Sequence, residues 1–154
     1  MPVRVQQSDF DISTEIAALT SGDTGAGAIA SFIGKVRGEA NGQPLASMTL
    51  EHYPGMTETE LEKIETEARL RFRLSASLVV HRIGTLLPGD NIVLVITAAP
   101  HRSDAFAACE FLMDYLKTRA PFWKKEAVAG GEGQWVDARE TDDTAVERWH
   151  PAKI

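Results

Sequence analysis

Apolar residues along the chain recur with two periods, and the switches between those periods mark out the elements. Val3 to Gln7 alternates as a short strand, and Ser13 stands where it can cap a helix that turns Ile16 and Leu19 inward before "SGDTGAG" ends it. The next run, "AIASFIGKVRG", carries Ile29, Phe32, Ile33 and Val36 and reads as a strand, with Gly34 marking a bulge or a close approach. Asn41-Gly42 within "ANGQP" is a hairpin signal, so "LASMTLEHY" is expected to be the antiparallel partner of that strand.

Thr57-Glu58-Thr59-Glu60 fits a capping box, and Leu61, Ile64, Ala68 and Phe72 follow at the spacing of one helix face, predicting a helix to about Arg73. "ASLVVHRIG" and "NIVLVITAA" read as a second hairpin, turned by Pro88, Gly89 and Asp90. Ser103 is expected to cap a third helix with Phe106, Cys109, Met113 and Leu116 inward, and Pro121 stops it. "FWKKEAV" is then extended, and "QWVDARE" offers a last short strand beyond a Gly-rich turn. The order β-α-β-β-α-β-β-α-β-β, built from hairpins rather than alternating βα units, predicts an α+β fold with a mostly antiparallel sheet and three helices.

Composition narrows the function classes. A chain of 154 residues is expected to form a single domain spanning 1–154. The longest apolar run, "IVLVITAAP", is far below the roughly 20 residues of a membrane helix, and the N-terminus has no secretory h-region, so a cytoplasmic location without membrane contact is expected. One cysteine makes no internal disulfide, and His52, His81, His101 and His150 lack zinc-site spacing, so neither a metal nor a cofactor is expected. A net charge of −6 argues against a nucleic-acid partner and leaves any anion to be met locally.

Five patterns compete for that local role. Gly25-x-Gly27-x-x-Ala30 imitates a dinucleotide fingerprint, but it follows a helix and precedes a strand, the reverse of what pyrophosphate binding requires. His101-Arg102-Ser103 lies where a strand gives way to a helix N-terminus and suits a phosphate or carboxylate; a solvated first-turn arginine is the other reading. Lys35 and Arg37 share a strand face, as an anion clamp or as guards of an edge strand. His81-Arg82, inside a strand, reads as structural, one side chain inward and one outward.

The fifth pattern is "LKTRAPFWKKEA". Lys117 sits at the margin of the helical apolar stripe, three residues from Asp114. Past Pro121 the two-residue period puts Phe122, Lys124 and Glu126 on one face and Trp123 and Lys125 on the other. Surface lysines snorkelling over aromatics would look the same one at a time, but four basic side chains in twelve residues of an acidic chain favour a site. Cys109 occupies an apolar stripe and reads as a small buried hydrophobe, so any reactive atom comes from a substrate or partner.

"FIGKVRG", "VHRIG", "PHRSDAF", "DYLKTRAPFWKKE" and "WVDAR", in that order from about Phe32 to Arg139, together resemble the catalytic subunits of molybdopterin synthase. The resemblance implies an α/β-hammerhead-type fold. It implies a transferase that inserts two sulfurs into cyclic pyranopterin monophosphate to make the dithiolene of molybdopterin. The sulfur would arrive as the C-terminal Gly-Gly thiocarboxylate of a small ubiquitin-like partner subunit, and the catalytic subunit would form a homodimer within a heterotetramer. Carried over by position, Lys117 and Lys124 match the catalytic lysines. Arg37, His101 and Arg102 match contacts to the pterin phosphate, Lys35 and Val36 lie beside the first and Lys125 and Glu126 beside Lys124, Phe32 walls the pocket, and Arg139 reaches a neighbouring protomer's site. A lysine Schiff-base enzyme and a non-catalytic anion-binding module remain the other two readings of the same patch.

Overall fold

The computed structural model describes residues 2–128, 133–136 and 145–150. Its elements, in chain order, are β1 (Val3–Gln6), α1 (Ile12–Thr20), β2 (Ala28–Lys35), β3 (Glu39–Ala40), β4 (Gln43–His52), α2 (Met56–Arg71), β5 (Ala76–Arg82), β6 (Gly84–Leu86), β7 (Asn91–Ala99), α3 (Arg102–Arg119), β8 (Phe122–Val128) and β9 (Gly133–Val136). They form two sheets. The first has the order β1-β5-β7-β2; the second has the order β3-β4-β8-β9, with β6 also paired to β4. Every strand pair is antiparallel except β1 with β5, so the expected mixed, mostly antiparallel architecture holds among the described residues.

The first sheet is covered on both faces. Val79, Val93 and Val95 face α2 and α3, while Leu78, Val80, Leu94 and Ile96 face Ile12, Ile16 and Leu19 of α1. A strand buried on both sides has no polar face to alternate with, which is why "SLVV" and "VLVITAA" read as near-continuous apolar runs. A third cluster, Val36, Leu45, Met48, Leu50 and Leu86, fills the inner side of the second sheet.

The strand carrying Phe32 does not pair with the segment that follows the Asn41-Gly42 turn. Asn41 and Gly42 both take positive φ, 51° and 78°, and close only the short β3–β4 hairpin. β2 pairs instead with β7, and the register slips between Gly34 and Lys35, the bulge expected there. Val36 then leaves the first sheet, donating its N–H to the Asp90 carbonyl and accepting from Gly89 N–H, and the chain crosses to the second. Local turn chemistry selected the hairpin; burial against α3 and β7 selected the strand's partner. The β5–β7 hairpin forms as expected, with β6 branching from its connection onto β4.

Helix starts also differ from expectation. Asp11, not Ser13, caps α1 by accepting from Thr14 N–H at 2.9 Å. Gly55, at φ 85°, precedes α2, and the Glu58 carboxylate returns to Gly55 N–H at 2.9 Å. Thr57 is thereby freed for the core: its hydroxyl accepts from Tyr53 N–H and donates to the Pro121 carbonyl, each at 2.9 Å. His101, not Ser103, is the N-cap residue of α3. Beyond the three expected helices a further helical turn spans residues 145–147, burying Val146 and setting Trp149 edge-on against Phe72 and Phe111. No helix among the described residues is long and apolar enough to cross a membrane.

Candidate active site

β7 ends at Ala99, the chain turns at Pro100, and α3 runs back over β7 and β2. Its N-terminus, with His101 and Arg102, therefore lies at the end of the sheet where β2 begins. Its C-terminus, with Lys117, lies at the end where β2 finishes in Lys35 and runs on to Arg37. Fifteen residues of α-helix separate Arg102 from Lys117, about 22 Å at 1.5 Å per residue. The chain thus gathers Lys117, Lys35 and Arg37 at one end and holds His101 and Arg102, both exposed, at the other.

Pro121 breaks α3 from β8, and β8 restores a two-residue period. Phe122, Lys124 and Glu126 are half-buried and Trp123 and Lys125 exposed, the alternation the sequence predicts. In the antiparallel pair with β4, His52 stands opposite Phe122, Leu50 opposite Lys124 and Met48 opposite Glu126, so these six side chains share the inner face. Lys124 Nζ lies 3.4 Å from Glu126 Oε1. Lys125 occupies the outer face, its ammonium 5.9 Å from the centre of the Trp135 ring.

His81, at the end of β5, ties these parts together. Its ring stacks on Phe122 with centroids 3.8 Å apart and planes 17° from parallel, and Nδ1 lies 2.8 Å from the Arg82 carbonyl oxygen. Burial drives its pKa from 6.5 down to about 4, the Arg82 carbonyl opposes that, and the charges of Lys117 and His52 add to it. The ring is therefore neutral at neutral pH. Because a carbonyl only accepts, the proton sits on Nδ1 and Nε2 keeps a lone pair. His52 Nε2 in turn lies 3.3 Å from Glu58 Oε1. Lys117, His81, His52, Phe122 and Lys124 thus converge from α3, β5, β4 and β8. Sequence reasoning assigned His81 a structural place and passed over His52; their positions at two strand ends are the only local hint of the convergence.

The other expected residues distribute as follows. Lys35 and Arg37 are exposed, and Val36 between them is buried at 3 %. Phe32, 41 % exposed, lines an apolar groove between β2 and α3 with Phe106, Cys109 and Met113. Arg139 lies outside the described residues. Asp114, the candidate partner of Lys117, accepts from Trp149 Nε1 at 2.6 Å and from Arg148. Arg119 turns from the site to Glu67, 3.6 Å away.

Chemically the site is cationic and lacks a nucleophile of its own among the described residues. Burial pushes the Cys109 thiol up to about 11, far from the thiolate range. No group of three His, Cys, Asp or Glu side chains among the described residues is placed to hold a metal ion. Two amines from different elements, beside a neutral histidine, suit charge stabilisation on an anionic substrate.

Comparisons with known proteins agree on what this arrangement belongs to. A family model described as MoaE protein matches residues 5–119. A curated relative from Ralstonia nicotianae, named molybdopterin synthase catalytic subunit, is 56 % identical over 147 residues, covering 96 % of this chain and 83 % of its own. A solved molybdopterin biosynthesis MoaE protein from Burkholderia ambifaria superposes with a TM-score of 0.82 at 55 % identity, over 96 % of both chains. Molybdopterin synthase from Staphylococcus aureus superposes at 0.80 with 28 % identity, over 86 % of this chain and 95 % of that one. The chain belongs to the MoaE family, whose matched relatives carry the name molybdopterin synthase catalytic subunit.

Proposed function

We propose that this chain transfers two sulfurs to cyclic pyranopterin monophosphate, forming the dithiolene of molybdopterin, with each sulfur delivered as the C-terminal thiocarboxylate of a small ubiquitin-like subunit. The observation that carries this reading is the pair of lysines flanking Pro121, Lys117 from a helix end and Lys124 from a strand, on a surface with no reactive thiol. Attack of the thiocarboxylate sulfur on the pterin side chain develops negative charge on oxygen, and hydrolysis then returns the carrier as a carboxylate. Fixed ammonium groups, Lys117 exposed at the helix end and Lys124 half-buried on β8, stabilise that charge and supply protons. The word "subunit" in the relatives' names supports a second chain in the assembly.

Arg37, with Lys35 and Val36 beside it, His101 and Arg102 bind the pterin phosphate in this reading, Phe32 walls the pocket, Lys125 and Glu126 flank Lys124, and Arg139 acts across a subunit boundary. A single copy separates Arg102 from Lys117 by about 22 Å along α3, more than a pterin phosphate spans. The homodimer therefore completes the site, one protomer supplying the lysines and its partner supplying His101 and Arg102. The same reading assigns the reaction to the cytoplasm and the two-sheet arrangement to the hammerhead class.

Lys117→Ala tests the assignment. The variant is expected to bind the small subunit normally and form no dithiolene from precursor and thiocarboxylated partner; normal product formation sinks the reading. Borohydride trapping of a carbonyl compound on Lys117 or Lys124 would instead favour Schiff-base chemistry.

A further inference from the structure

We propose that Thr57 is a positioning residue for the reaction: its buried hydroxyl, bonded to the Pro121 carbonyl, sets the angle of the joint between α3 and β8 and so the placement of Lys117 against Lys124. This rests on the reading of those two lysines as catalytic. The joint is short. α3 ends at Arg119, β8 begins at Phe122, and the Phe122 N–H turns back to the Ala120 carbonyl at 2.9 Å. Pro121 has no N–H, which leaves its carbonyl as the handle on the joint. The β4–β8 ladder ends at the pair His52 and Phe122, so that carbonyl falls to a side chain.

Thr57 supplies the donor in a fixed direction. Its hydroxyl has a single proton and accepts from the Tyr53 N–H at 2.9 Å; since a carbonyl only accepts, that proton goes to Pro121, also at 2.9 Å. The residue is 0 % exposed, which keeps both bonds out of water and makes each costly to leave unmade. Its own N–H is held by the Tyr53 carbonyl at 2.9 Å, and a β-branched side chain has little freedom at χ1. The same loop reaches the joint a second time. Glu58, bonded to the Gly55 N–H, stands 3.3 Å from His52, and His52 is the cross-strand partner of Phe122. Lys117 lies four residues before Pro121, about 6 Å of helix, so a swing of roughly 10° at the joint moves it by about 1 Å. A misplacement of that size costs a reaction about 100-fold.

Three variants separate this role from stability alone. Thr57→Val keeps the shape and removes the hydroxyl; Thr57→Ser keeps the hydroxyl. Thr97→Val is the matched control: Thr97 is equally buried and donates to the Ala105 carbonyl at 2.6 Å, in the first turn of α3, at the opposite end of the helix from Lys117. Each is assayed in the complete complex with cyclic pyranopterin monophosphate and thiocarboxylated small subunit, well below its melting midpoint. Thr57→Val is expected to lower kcat by about 10- to 100-fold with KM within about twofold of wild type. Thr57→Ser is expected to keep most of kcat. Thr97→Val is expected to lose a comparable amount of Tm and to keep kcat within about twofold of wild type.

A kcat loss below about tenfold in Thr57→Val overturns the proposal. So do equal losses in Thr57→Val and Thr97→Val, which assign both to stability, and a loss in Thr57→Ser as large as that in Thr57→Val, which assigns the effect to the methyl group. If Thr57→Val does not fold, Thr57→Cys decides, because a thiol fills the site and is a poor donor. A kcat lowered about tenfold or more with KM held supports the proposal, and a smaller loss overturns it. A fully active Lys117→Ala would remove the underlying reading and this inference with it. An inactive Lys117→Ala beside a fully active Thr57→Val removes this inference alone.

Discussion

If one protomer supplies Lys117 and its partner supplies His101 and Arg102, two different defects should repair each other in a mixed dimer. Lys117→Ala removes the catalytic amine. Arg102→Ala removes a charge-assisted contact worth about 1.5–3 kcal/mol, which is roughly 10- to 100-fold in kcat/KM at low substrate. In a dimer carrying one copy of each variant, one of the two sites combines both defects and the other combines neither. Because α3 separates the two groups by about 22 Å in any single copy, that second site is intact. Mixed dimers isolated through two different affinity tags, saturated with thiocarboxylated partner and assayed below KM, should therefore show about half the wild-type rate, while each parent variant shows at most about a tenth. The expectation of one half follows from counting sites and does not depend on the size of either single effect. A mixed dimer no more active than its parents would refute the division of the site between protomers and leave α3's two ends with separate duties.

Stability should fall on the acid side through His81. The unfolded ring titrates near 6.5 and the native ring near 4, so between those values the unfolded chain binds a proton that the native chain refuses, and stability is lost as pH falls. The gap corresponds to about 3 kcal/mol in full and about 2 kcal/mol between pH 7 and pH 5; urea unfolding should show that loss in the wild type and a reduced one in His81→Phe. Asp9, Asp11 and Asp23, whose carboxyls hydrogen bonds hold below the usual 3.8, act only at lower pH and leave this window clear. Thr57→Val should cost about 2–3 kcal/mol by stranding Tyr53 N–H and the Pro121 carbonyl, a fall in Tm of roughly 5–10 °C, whereas Thr57→Ser should remain close to wild type; equal melting of all three would refute the bridging role.

Much of the fold was legible because its elements announce themselves locally. The stripe Leu61, Ile64, Ala68 and the alternation of Phe122, Lys124 and Glu126 are properties of a helix and a strand whatever they pack against, and both appear as read. The partner of β2 was not legible. A hairpin signal at Asn41-Gly42 reports only on the residues that flank it, and β7 does not begin until Asn91. Caps were misread for a related reason: Ser13, Thr57 and Ser103 are all competent caps, and the choice among neighbouring candidates depends on where the chain enters the helix. In the site, the faces of Lys117 and Lys124 followed from Pro121 and simple periodicity. The convergence of His81 and His52 did not, since it needs β5, β4 and β8 to meet through side chains far apart in sequence.

β2 ends the first sheet, and Ile29 and Phe32, 44 % and 41 % exposed, stand on its opposite faces, Phe32 lining the groove with Phe106 of α3 at 66 %. An open strand edge flanked by apolar side chains is a template for unwanted pairing as much as for correct assembly. A cell making this chain in excess of whatever covers that edge accumulates the form most inclined to stick to itself. If the assembly proposed above covers that edge, the dosage and timing with which its chains are made decide how much of the edge stays bare.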